Sequence, residues 1–321
     1  MKRILHIANN LRETILACPK KASIYNKIKP ILFDVSLRDG IQNAKVENYT
    51  TNIKMDIFYD IISEIQPQNI EIGSLTSSKI LPIMNDSLVL HNYACQYMDI
   101  KQKFTENTPN HTKIYVLIPS ITKLQLAFEN KVRNFSFITS VSDAFQLRNT
   151  KKNLNETKQD FIDVFEMINR EPGSRFFHKK LYISCINNCP ISGKIDNNLI
   201  INELLYYYNE YSFDELCLSD TTGELQIEDF KYIINSCIFL GIPVDMFSLH
   251  LHYSNKNYKN IENLEQILYY SFDIGIHKFD VSCLETGGCS VTMNAENLHT
   301  NLSYDMFYSI LSKYIVQKIE L

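Results

Sequence analysis

A single-domain (β/α)8 TIM barrel of the α/β class is the fold that the 321-residue sequence predicts, on three observations. Eight short apolar runs rich in β-branched and aromatic residues recur along the chain, and stretches with helical spacing separate them. No long linker or break in composition divides the series, and 321 residues is an ordinary length for one barrel. An open doubly wound sheet is the runner-up architecture.

In order, the runs are Ile31 to Val35, Ile70 to Ile72, Ile114 to Ile118, Phe135 to Ile138, Leu181 to Ser184, Leu216 to Ser219, Phe247 to Leu251 and Phe279 to Val281. Each reads as a buried parallel strand. Helical spacing follows in Met55-Phe58-Ile61-Ile62-Ile65, Phe161-Phe165-Ile168, Leu204-Tyr208, Phe230-Ile233-Ile234-Cys237 and Ile261-Leu264-Ile267-Leu268. The last helical stretch, Tyr304 to Ile315, is expected to close the barrel. The barrel domain is thus residues 30–321, preceded by an extension of residues 1–29. That extension sets Lys2, Arg3, Arg12, Lys20, Lys21, Lys27 and Lys29 against the single acid Glu13. It is either a transit peptide or a helix strapped to the barrel bottom, and the strap is preferred.

Charge narrows the function. The net charge of -4 comes from 32 basic and 36 acidic residues without a long like-charge block, so no nucleic acid or membrane partner is expected. Small-molecule chemistry remains. The eight cysteines are dispersed and follow no signal peptide, which reads as reduced thiols and a cytoplasmic location, or the mitochondrial matrix if residues 1–29 are a transit peptide.

Where the first strand ends, the chain runs directly into Arg38-Asp39-Gly40-Ile41-Gln42-Asn43, and barrel chemistry sits just after strand ends. The same segment alone would also serve as a polar turn with a surface ion pair. His250 and His252 flank Leu251 in the seventh run, so both imidazoles share one face of a strand and suit one metal ion. With the Asp39 carboxylate and an amide oxygen from Asn297, the set is two nitrogens and two oxygens without a thiolate. Such a site suits Mg²⁺ or Mn²⁺ and leaves Zn²⁺ open. After the last run, Glu285-Thr286-Gly287-Gly288-Cys289 puts a thiol on a glycine-hinged loop, where it can donate a proton or lie buried behind a turn. Glu71, Ser184 with Cys185, and Asp220 are placed at further strand ends. The spacing of Cys185 and Cys189 is a poor zinc motif, and packing is the better role for them.

Taken together, these segments resemble the 3-hydroxy-3-methylglutaryl-CoA lyase family, metal-dependent lyase and synthase barrels that share an Arg-Asp-Gly motif. The resemblance spans about residues 30 to 317. It rests on Arg38 to Asn43, Tyr182-Ile183-Ser184-Cys185, Cys189-Pro190 with Gly193-Lys194-Ile195, Ser219-Asp220-Thr221 with Gly223, His250-Leu251-His252 and Gly287-Gly288-Cys289, in family order. It implies Asp39, His250, His252 and Asn297 as metal ligands, with Asn294 a rival for the last, and Arg38 as the stabiliser of oxyanion charge. Glu71, Asp220 and His250 join the catalytic network, Cys289 is a proton donor on a mobile loop, and Gln42, Asn43 and Lys45 are the cofactor-binding residues. A homodimer is also implied. The chain departs from the family at Leu37, where Pro is usual, at Tyr253, where Asp is usual, and in the shorter Ser290 to Glu296 segment, which has no Gly.

The expected reaction is metal-dependent cleavage of 3-hydroxy-3-methylglutaryl-CoA to acetyl-CoA and acetoacetate, that is, a carbon-carbon lyase. The alternatives are a related aldol or Claisen enzyme acting on another hydroxy acid or acyl-CoA, and a catalytically inactive barrel that acts as a binding protein.

Overall fold

The computed structural model describes residues 1–104, 112–254, 258–284, 286–287 and 299–320. Helices α1 (Lys2–Ala17) and α2 (Pro19–Ile28) precede strand β1 (Ile31–Asp34), and the chain then alternates: α3 (Thr51–Glu64), β2 (Asn69–Ser74), α4 (Ser87–Phe104), β3 (Lys113–Leu117), α5 (Ile121–Glu129), β4 (Asn134–Ser140), α6 (Asp143–Thr150) and α7 (Leu154–Arg170). The second half runs β5 (His178–Ser184), the short pair β6 (Asn188–Cys189) and β7 (Gly193–Lys194), α8 (Asn197–Glu210), β8 (Glu215–Ser219), α9 (Ile227–Phe239), β9 (Phe247–His250), β10 (His252–Tyr253), α10 (Tyr258–Ile274), β11 (Lys278–Val281), β12 (Thr300–Asn301) and α11 (Tyr304–Glu320). Eight strands close in the order β1-β2-β3-β4-β5-β8-β9-β11, all parallel. All eight apolar runs are strands of this barrel, and the doubly wound alternative falls.

Burial explains why those runs are apolar throughout. Side chains alternate between the barrel interior and the layer under the helices, so both faces of each strand are covered. On β4, Phe135 and Phe137 turn outward and stack edge-on with Phe177 and with Phe161 of α7. Ile138 turns inward and packs with Leu117, Tyr182 and Cys217. The amphipathic face of α7 (Phe161, Val164, Phe165, Ile168) is buried, and a capping box between Asn153 and Glu156 starts the helix. Glu71, expected to close the second strand, lies inside it, because β2 continues to Ser74 past a shift of register after Glu71.

Residues 1–29 form α1 and α2, which pack against α11, and α1 also touches α3. Ile4, Leu5, Ala8 and Ile15 of α1 join the main core, and Arg12 Nη1 donates to the carbonyl of Ile65 just past the end of α3 at 2.9 Å. No helix among the described residues is long and apolar enough to cross a membrane.

The foot of α11 is tied to β1 by a buried carboxyl. Asp34 accepts from Ser36 N at 2.9 Å, Ser36 Oγ at 3.0 Å and Tyr304 Oη at 2.8 Å. Burial nevertheless outweighs these donors and pushes its pKa up to about 7. The sign follows: between pH 4 and 7 the folded chain keeps a proton that the unfolded chain releases, so stability falls as pH rises through that window and levels off above it. At about 1.4 kcal/mol for each tenfold difference in proton affinity, the decline is on the order of a few kcal/mol. Urea midpoints are expected to drop from pH 5 to pH 8, and Asp34→Asn to flatten the drop. An equally steep decline in the variant would remove Asp34 as its source.

Candidate active site

Immediately after β1 the chain turns back on itself, with Arg38 N and Gly40 N both donating to the Val35 carbonyl, at 3.1 and 3.0 Å. A Cβ on Gly40 would stand 2.6 Å from the Ser36 carbonyl oxygen, so the tight turn requires glycine. This turn delivers Arg38 and Asp39 side by side into the mouth, both buried. Arg38 Nε donates to Glu71 Oε2, Nη1 donates to Asp39 Oδ1 at 2.7 Å, and the guanidinium lies 4.9 Å from the Tyr182 ring centroid. Tyr182 Oη donates to the same Glu71 oxygen at 3.2 Å.

His250 ends β9 and His252 begins β10, and as the alternation required, both rings face the mouth, 4.8 Å apart between centroids. Each imidazole is held by Nδ1: that of His250 meets Asp280 Oδ2 at 3.0 Å, that of His252 meets the Asp220 carbonyl at 2.8 Å. The Nε2 atoms are therefore turned to Asp39 Oδ2, at 3.9 Å from His250 and 3.6 Å from His252. One ligand atom from each of Asp39, His250 and His252 lies within 4.8 Å of the others. This is the arrangement in which metal-bound histidines are found, with the second nitrogen tied to an outer partner.

Register completes the cluster with a residue that the sequence reading missed. β12 pairs antiparallel with β10 so that Asn301 stands opposite His252. Its Nδ2 donates to Asp39 Oδ2 at 2.9 Å. Among the described residues, buried Asn301 Oδ1 and His252 Nε2 have no hydrogen-bond partner. Two imidazole nitrogens, a carboxylate and an amide are donors that Mg²⁺, Mn²⁺ or Zn²⁺ accept, and orphaned buried atoms are what a missing ion leaves behind, so these residues fit a divalent metal. Asn297 and Asn294 lie outside the described residues, as does Cys289. Counting back from the helix at Tyr304, instead of forward from Cys289, would have found Asn301.

Electrostatics fit this cluster. Burial raises the cost of charge at Asp39, but Arg38 and the two imidazoles outweigh it and hold the carboxyl well below its usual range. Burial pushes His250 down, whereas at His252 the neighbouring Asp39 overcomes burial and raises it. Glu71 balances Arg38, whose guanidinium is held charged against the pull of burial.

Other expected residues sit differently. The carboxylate of Asp220 accepts from the backbone N–H groups of Glu224 and Leu225, at 3.2 and 3.0 Å, so Asp220 reaches the centre through the carbonyl that holds His252. Gln42 Nε2 donates to Asp39 Oδ1 at 2.6 Å, and Asn43 Nδ2 to the Gly287 carbonyl at 3.0 Å. With exposed Lys45, these two line a shallow hollow that also takes in Ile80 to Ile83. A cavity of about 260 Å³ runs from Arg38, Asp39 and the histidines past Leu117, Ile118 and Ile138 to Phe145 and Val164. Cys185 and Cys189 are buried apart from the cluster, and Cys189 Sγ accepts from Ser142 Oγ at 3.1 Å.

Comparison with known proteins agrees with the fold and the motifs. No protein-family profile matches the chain. It is 26% identical to the mitochondrial hydroxymethylglutaryl-CoA lyase of Macaca fascicularis over 282 residues, 87% of this chain and 77% of the relative. It is also 26% identical to the 3-hydroxy-3-isohexenylglutaryl-CoA/hydroxymethylglutaryl-CoA lyase of Pseudomonas aeruginosa over 267 residues, 82% of this chain and 79% of the relative. Among solved structures, an HMG-CoA lyase from A. baumannii in complex with coenzyme A and 3-methylmalate superposes with a TM-score of 0.71 at 19% identity, covering 92% of this chain and 91% of that one. The P. aeruginosa hydroxymethylglutaryl-CoA lyase structure gives 0.71 at 23% identity, covering 89% and 86%. The resemblance carried by the motifs thus extends over most of the chain, and the relatives that share it are carbon-carbon lyases.

Proposed function

We propose that this protein, a homologue of the hydroxymethylglutaryl-CoA lyases, cleaves 3-hydroxy-3-methylglutaryl-CoA to acetyl-CoA and acetoacetate. The observation that carries the reading is the convergence of Asp39, His250 and His252 beside a buried Arg38. In this reading Asp39, His250, His252 and the Asn301 amide hold Mg²⁺ or Mn²⁺, with Zn²⁺ the third option. A divalent ion bound there supplies Lewis-acid polarisation of substrate oxygens.

The chain's own groups account for the rest. In cleavage the tertiary hydroxyl gives its proton to solvent water at the mouth, the bond between C2 and C3 breaks with its electron pair passing to C2, and acetoacetate and a thioester enolate result. Arg38 meets the enolate oxygen with charge-assisted hydrogen bonds, and Glu71 and Tyr182 keep the guanidinium aimed at that position. A proton returned to the enolate carbon completes acetyl-CoA, and Cys289 is the proposed donor. Gln42, Asn43 and Lys45 are proposed to border the coenzyme A path. A homodimer belongs to the same reading, as does a cytoplasmic site of action or, if residues 1–29 are a transit peptide, the mitochondrial matrix; relatives carry both locations in their names.

A second reading keeps the chemistry and enlarges the substrate. The apolar arm of the cavity at Leu117, Ile118, Ile138 and Phe145 favours a C3 substituent larger than methyl. Acetoacetate release from 3-hydroxy-3-methylglutaryl-CoA, measured with Mg²⁺ or Mn²⁺ and a thiol reductant against an EDTA control, separates the two. Metal-dependent release supports the first. Release only from longer 3-alkyl analogues supports the second, and none from any of them, with metal bound, favours a binding protein.

A further inference from the structure

Inside the barrel, below the mouth, the Asp280 that holds His250 belongs to an ionic cluster whose other members, Lys180 and Glu215, have no role above. Lys180 of β5 is 1% exposed. Its ammonium bonds to Asp280 Oδ1 of β11 and stands 2.9 Å from Glu215 Oε1 of β8. It also sits 3.7 Å from the Phe33 ring centroid and 4.9 Å from that of Tyr182. Lysine is almost never fully buried unless paired, and replacing a buried ion cluster by apolar side chains is often neutral or stabilising. Stability alone is thus a poor reason for a cation here, and its contacts suggest another.

The two oxygens of Asp280 have separate tasks. Oδ1 takes Lys180, while Oδ2 lies 3.0 Å from His250 Nδ1 and 3.8 Å from Cys217 Sγ. The carboxylate therefore cannot turn about its bond without losing the ammonium. The two imidazoles differ in this respect. His252 is held by a main-chain carbonyl, which the fold fixes, whereas His250 is held by a side chain that needs an anchor of its own.

We propose that Lys180 is a positioning residue for the metal site: it anchors the Asp280 carboxylate so that Oδ2 meets His250 Nδ1 and aims Nε2 at the ion. The inference rests on the reading of Asp39, His250 and His252 as ligands. Glu215 and the Phe33 ring fix the ammonium from the other side, so the chain of support runs from β8 and β1 through Lys180 and Asp280 to the ligand on β9.

Mn²⁺ affinity, read by calorimetry and by the electron spin resonance of free Mn²⁺, tests it without reference to turnover. Lys180→Met is expected to weaken binding by about 10- to 100-fold, the range typical of lost outer-shell partners, and Lys180→Arg to recover most of it. Because removing one cation leaves two buried carboxylates, a second variant, Lys180→Met with Glu215→Leu, keeps the net charge of the cluster and preserves the fold. It should show the same loss of affinity with an unchanged melting temperature. Asp280→Asn should weaken binding as much as Lys180→Met, and combining the two should add nothing, since they act through one contact. Full affinity in the folded double variant, or additive losses with Asp280→Asn, overturns the proposal. A wild-type protein that binds no Mn²⁺ overturns the ligand reading and the proposal with it.

Discussion

Replacing Arg38 with Gln is expected to lower kcat about 10²- to 10³-fold while Mn²⁺ affinity changes only a few-fold. The guanidinium lies beside Asp39 in the mouth, and it already spends two of its donors on Glu71 and Asp39. Its remaining N–H groups are what a developing enolate oxygen would meet in a buried, low-dielectric site, where such bonds are strongest. Glutamine preserves a donor towards Glu71 but carries no charge. The substitution also leaves Glu71 buried without its cation, a change that costs about 3 to 5 kcal/mol in comparable pairs, so melting temperature must be followed alongside. Lost turnover in a protein that is folded at the assay temperature and loaded with metal is the expected result. Retained kcat would take Arg38 out of the chemistry.

Asp39→Ala should have the larger effect on metal. Asp39 Oδ2 is the atom that both Nε2 groups and Asn301 surround, so its loss removes the one charged donor of the set. Affinity for Mn²⁺ is expected to fall by more than about 100-fold, beyond the range for outer-shell groups, and turnover to fall to that of the EDTA-treated wild type. Binding should also weaken as pH falls, because the imidazoles must be neutral to ligate and Asp39 raises the proton affinity of His252 in the metal-free protein. Unchanged metal content in Asp39→Ala would sink the ligand assignment.

Much of this was legible in the sequence because barrel strands are apolar on both faces and their ends carry polar groups. Period-two spacing put His250 and His252 on one face, and the apolar run ending at Val35 put Arg38 and Asp39 at a mouth. Helices α4, α5 and α6 were harder to read, since α6 has a weakly amphipathic sequence and α4 exposes Val89 and Ile100. The second face of the site was harder still. Asn301 enters through a two-residue pairing between β10 and β12, which in the sequence only its short spacing from the helix at Tyr304 foreshadows. Asp280 sits inside the apolar run Phe279 to Val281 and Lys180 just before Leu181, and neither position in the sequence names its partner. What joins them is distance across the barrel, which only closure of the sheet supplies.

Helix α1 packs against α11, at the opposite end of the chain. During synthesis α1 can meet α2 and α3 early, but the part of it that packs on α11 has no cover until nearly every barrel strand has emerged. Docking of α1 is expected to be a late event of high contact order, slow relative to the local β-α steps. A pulse of hydrogen exchange during refolding should find the α1 amides protected last, and a chaperone that shields newly made apolar helices would act on this segment for the longest time.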